Sequence, residues 1–147
     1  MTAKDIYDQL IKGSSPREQQ LGKMAILVLC AISHVSAEKA KKNPNSTEGV
    51  TYDEVYEACK QVKLDDLIAP KMEDKEDMRS DIIQAAAILG VMGQLGCDNP
   101  EDGLFPTYPG MVRACEIFIE QRPMKVSAVY EVAKVLGVAE KKAIINN

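Results

Sequence analysis

Apolar and polar positions alternate along the chain with a helical period, interrupted by polar or proline-broken connections. In TAKDIYDQLIKG, residues 2–13, Ile6 with Leu10 and Tyr7 with Ile11 recur at helical spacing before Gly13. This predicts a short amphipathic helix with a left-handed stop. The following SSPREQQLGKMAILVLCAISHV places Ser15 to cap, Pro16 at the first helical position and Glu18 three residues after the cap, which together form a helix-start signature. From Leu21 to Val35 nearly every position is apolar or small. Such a helix is expected to be covered on most sides and to lie at the centre of the core.

Residues 37–50, AEKAKKNPNSTEGV, lose the periodicity and predict an exposed loop. Thr51 with Glu54 repeats the capping pattern, opening a helix that lines up Val55, Cys59 and Val62. An acidic connection broken by Pro70 leads to MRSDIIQAAAILGVMGQLG, the second core helix. Gly90 and Gly93 inside it cost about 1 kcal/mol each relative to alanine. They therefore predict a close approach, either by the helix over 21–35 or by a second copy of the chain. CDNPEDGLFPTYPG carries three prolines and predicts a rigid loop. MVRACEIFIEQ places Met111, Ala114, Cys115 and Phe118 at helical spacing, with a strand carrying Cys115, Ile117 and Ile119 on one face as the alternative. Beyond Pro123, Ser127 caps AVYEVAKVL, Gly137 ends it, and a last turn or two runs through AEKKAIIN. The expected architecture is all-α: one compact domain over 1–147 with six to seven helices.

Composition narrows the class. At 147 residues and 46% hydrophobic, the chain can build a core without staples. Its net charge of −4 is unevenly spread: residues 63–105 hold four basic against ten acidic residues, and residues 106–147 hold six against four. Only the C-terminal third is expected to tolerate phosphate. Cys30, Cys59, Cys97 and Cys115 lie 29, 38 and 18 residues apart, too far in sequence for a zinc or dithiol motif. No signal pattern opens the chain, and the longest apolar run, MAILVLCAI, falls short of the roughly 18 residues of a span. A soluble, intracellular protein of a reducing compartment, without membrane contact, is the expectation.

Candidate chemistry is sparse. His34, the only histidine, stands four after Cys30 on the same helix face. Within the most apolar helix that pair reads as inert packing rather than a nucleophile. GVMGQLG has GxxGxxG spacing and no preceding strand, so it is not a phosphate loop. A calcium loop from Asp98 fails because Pro109 takes the position of the bidentate glutamate. No catalytic, cofactor-binding or metal-ligating set emerges. The closing VYEVAKVLGVAEKKAIIN does satisfy a helix-turn-helix pattern. Val129, Val132, Ala133 and Leu136 line the first helix, Gly137 makes the turn, and Lys141 and Lys142 follow.

One resemblance bears on this. The order SSPREQQLGKMAILVLCAI, GVTYDEVYEACKQV and an apolar helix ending LGVMGQLG resembles the three-helix part of the C-terminal winged-helix domain of origin-recognition replication initiators. It covers residues 15–96 and rests on helix order and apolar positions. Where that family places a two-stranded wing, the sequence predicts a proline-rich loop and a helix without an arginine-rich tip, so no contact residue is carried over. The resulting expectation is a non-enzymatic module that associates with DNA or RNA through Arg122, Lys125, Lys134, Lys141 and Lys142. The alternative is an assembly protein that joins a protein partner or its own copies through Gly90, Gly93, Phe105 and Tyr108.

Overall fold

The computed structural model describes residues 16–45, 48–64, 75–97 and 103–138. Within them the chain runs α1 (Pro16–Lys42), α2 (Tyr52–Cys59), α3 (Lys75–Val91), β1 (Leu95–Cys97), β2 (Leu104–Pro106), α4 (Tyr108–Gln121) and α5 (Ala128–Val135). The expected helix over residues 2–12, the cap at Ser15 and the last turn through AEKKAIIN lie outside the described residues.

α1 is the axis of the fold and packs against every other described helix and β2. Met24 through Ile32 are all at most 3% exposed, so the run of apolar residues is surrounded on every side, as its composition predicts. By length and composition alone, Gln19–Lys42 reaches what a bilayer span needs, but 67% of that apolar window is buried within the fold. The helix continues to Lys42, past the point where an exposed loop was expected to begin. Alanine, glutamate and lysine favour a helix, and these last turns are held by contacts. Ala37 is buried, and Lys39 Nζ reaches Glu54 at 2.8 Å and the Gly49 carbonyl at 3.0 Å.

The α2 start is the predicted capping box: Glu54 N–H donates to Thr51 Oγ1 at 3.2 Å, and Thr51 N–H donates to Glu54 Oε1 at 3.1 Å. Burial opposes the charge on both Lys39 and Glu54, yet their pairing outweighs it. Lys39 is held above its ordinary range and Glu54 below its own. One ion pair thus fixes the end of α1 to the beginning of α2.

The region after α3 departs from the all-α expectation. Gly93 does not lie inside the helix: with φ +74 it ends it, Gly93 N–H donating to Gly90 O and Gln94 N–H to Leu89 O. These two bonds form a Schellman termination. The chain then turns into an antiparallel hairpin in which Leu95, Gly96 and Cys97 oppose Pro106, Phe105 and Leu104. Val50 pairs with the other edge of β2 through Leu104, so β2 lies between β1 and the single-residue bridge. A small sheet therefore stands where a rigid loop was expected. Pro106 occupies the last position of its strand, so it ends the ladder and does not interrupt it.

α4 is a helix, as preferred over the strand alternative, and starts three residues earlier than MVRACEIFIEQ. Thr107 is its N-cap and Pro109 sits in its first turn. Thr107 Oγ1 also donates to the Gly93 carbonyl at 2.6 Å, joining the α4 start to the α3 end. Ser127 caps α5 as predicted, and Gly137 follows with φ +73.

Candidate functional site

Two surfaces could engage a partner. The first is built where the chain segment after α2 meets the connection between α4 and α5. α4 ends on Arg122 in the left-handed region, φ 50 and ψ 55, a conformation that costs a non-glycine residue about 1–3 kcal/mol. Pro123 follows, and its carbonyl accepts the Lys63 N–H at 2.9 Å. Tyr130 of α5 closes the connection from below: its hydroxyl donates to the Met124 carbonyl at 2.6 Å. The Tyr130 ring meets Phe118 edge-on at 5.4 Å and lies 5.7 Å from the Arg122 guanidinium.

The result is a groove of about 400 Å³ lined by Gln61, Lys63, Arg122 and Lys125, with Pro123, Met124 and Val126 as apolar lining. Lys63, Arg122, Lys125 and Val126 are exposed. Among the described residues no carboxylate pairs with these three cations. Nearby Lys60 differs, being tied to Glu57 at 3.1 Å and stacked over Tyr56. The groove therefore gathers three cations beside apolar surface, an arrangement suited to an anionic chain with a less polar backbone.

The second surface is the outer face of α3. Ser80, Ile83, Gln84, Ala87, Gly90 and Val91 are exposed along it. Gln84 Nε2 donates to Ser80 Oγ at 3.0 Å, and Arg79, the cation near its start, lies 5.7 Å from the Tyr52 ring. Among the described residues no other segment comes within 4 Å of a Cβ built at Gly90 or Gly93. The close approach by the helix over 21–35 is thus corrected, since both glycines face away from α1, one exposed and one terminating the helix. Phe105 and Tyr108, 36% and 71% exposed, stand beside this end of α3 through the Thr107 to Gly93 bond.

Of the residues proposed from sequence to meet nucleic acid, Arg122 and Lys125 share the groove. Lys134 is exposed in the last turn of α5. Lys141 and Lys142, with the second helix of the C-terminal pair, lie outside the described residues. Sequence reasoning missed Gln61 and Lys63. Some 60 residues separate them from Arg122, and no local pattern announces the bond that joins the two segments.

His34 and Cys30 do not act as a pair. Burial pushes the Cys30 and Cys59 thiols up to about 12 and Cys115 up to about 11, leaving them unreactive. His34 Nδ1 instead meets Ser127 Oγ at 2.7 Å. That hydroxyl is buried and already accepts the Val129 N–H. Glu38 accepts the Ala128 N–H at 2.8 Å, and Lys41 pairs with Glu131 at 3.2 Å. Together, His34, Glu38 and Lys41, one turn apart on α1, latch the start of α5. Among the described residues no group of histidine, cysteine and acidic side chains is placed to hold a metal. Compared with protein-family models, with curated proteins and with solved structures, the chain has no match.

Proposed function

We propose that the chain is a nucleic-acid-associated module of winged-helix type, without catalytic chemistry of its own. The observation that carries this reading is connectivity. A helix, a one-residue bridge, two helices and a two-stranded hairpin follow one another, with β2 flanked by the bridge and by β1. A winged helix has that order, and its second and third helices form the helix-turn-helix. On this reading the hairpin stands in for the wing, the element that the sequence did not predict. Likewise α2 and α3 correspond to the second and third helices of the winged helix, and the segment that joins them lies largely outside the described residues. The test is a mobility-shift titration of purified protein with a DNA duplex and with an RNA of the same length, at low and at moderate salt. Binding that weakens steeply with salt is expected, because neutralised phosphates release counterions. Absence of binding to either at low salt would defeat the proposal.

A second reading, self-assembly, draws support from the exposed apolar residues at the α3 end: Val91 is 90% exposed, beside Tyr108 and Phe105. It predicts salt-independent self-association in sedimentation velocity, abolished by Tyr108→Glu. Sedimentation as a monomer at every concentration would remove it.

A further inference from the structure

We infer that the groove between residues 61–63 and 122–126 is the main phosphate-binding site of the module, gripping the sugar-phosphate chain of a nucleic acid, while the outer face of α3 contributes little to affinity. This inference rests on the nucleic-acid reading and deepens it. In a winged helix the third helix is the usual reader, but here, beyond Arg79, which is exposed near its start and lies 5.7 Å from the Tyr52 ring, the face from Ser80 to Val91 carries no cation. Gln84, the one side chain on that face with base-reading amide chemistry, is already bonded to Ser80. The cations converge elsewhere. Lys63, Arg122 and Lys125 come from two distant segments and meet around one groove.

The groove is also preorganised. The Lys63 to Pro123 bond, the Tyr130 to Met124 bond and the Tyr130 ring against Phe118 and Arg122 fix its walls before any ligand arrives. Strain is held there too, since Arg122 is the one non-glycine residue with positive φ among the described residues. Strained backbone is tolerated where the surrounding structure over-determines it, and such positions cluster at ligand clamps. Met124 and Val126 supply apolar contact for sugars, while the three cations supply the charge for phosphates. Contacts of this kind position a nucleic acid without reading its sequence.

The test is fluorescence anisotropy of a labelled DNA duplex across a salt series, using wild type, a Lys63→Glu/Lys125→Glu variant and a Ser80→Glu/Gln84→Glu variant. All four positions are exposed, and circular dichroism checks that each variant is folded. For the groove variant, affinity at low salt should fall at least about tenfold, and the slope of log affinity against log salt should flatten by about two, one for each lost phosphate contact. The α3 variant should stay within about twofold of wild type, the range left when no direct contact is removed. Equal or greater loss in the α3 variant, or unchanged binding in the groove variant, would overturn the inference and leave the nucleic-acid reading standing. Failure of the wild type itself to bind would defeat both.

Discussion

Gly110 and Gly90 have opposite reasons for being glycine, and substitution separates them. Gly110 lies in the first turn of α4, and a Cβ there would fall on the backbone carbonyl of Gln94. Backbone cannot move aside as a flexible side chain can. Gly110→Ala is expected to lower stability in urea unfolding by about 1–3 kcal/mol, the cost of overpacking. Gly90 is exposed on α3 with open space around it, so Gly90→Ala should raise stability by about 0.5–1 kcal/mol through helix propensity. A loss at Gly90 would mean that its missing side chain serves a contact within the fold. Stability gained together with loss of self-association would instead favour the assembly reading. Such distinctions were not legible in the sequence, where Gly90, Gly93 and Gly96 form one regular series. Their spacing carries no mark of which ends the helix, which faces solvent and which, as Gly96 does, lies under an aromatic ring across a strand pair.

At the scale of elements, helices announced by caps and apolar faces were readable, because those signals act within a few residues. The capping box of α2, the Ser127 cap of α5 and the central position of α1 all follow from local chemistry. The hairpin was not readable: β1 and β2 are three residues each, too short to set up a period, and pairing with Val50 depends on a partner far along the chain. Nor did sequence mark the continuation of α1 to Lys42, whose last turns are held by α2 and α5. The latch between α1 and α5 makes its own prediction. Burial holds His34 below its ordinary value of 6.5, against an opposing pull from Glu38. A histidine whose folded pKa is depressed contributes stability that is full above its unfolded pKa and is lost as pH falls through the folded value. Urea midpoints should therefore decline as pH falls below about 6.5, before carboxylates such as Glu54 begin to protonate. His34→Gln should flatten that part of the curve. An unchanged curve in the variant would mean that the imidazole carries no share of the acid sensitivity.

For the whole molecule, the sign of the net charge is a poor guide to where an anion binds. The chain carries −4 overall, with most of the excess acid in its middle, while folding gathers Lys63 with Arg122 and Lys125 into one groove. Half of that convergence was anticipated, because Arg122 and Lys125 belong to the basic C-terminal third. The other half came from a backbone bond between segments that no sequence pattern links. Acidic surface elsewhere should hold the ligand to one side of the molecule. The most direct measurement is a map of backbone amide chemical shifts during titration with a short DNA duplex at low salt. The largest changes are expected at residues 61–63 and 122–126, with smaller ones along the outer face of α3. Changes concentrated at Ser80, Gln84 and Ala87 with the groove silent, or no changes anywhere, would contradict the assignment of the groove.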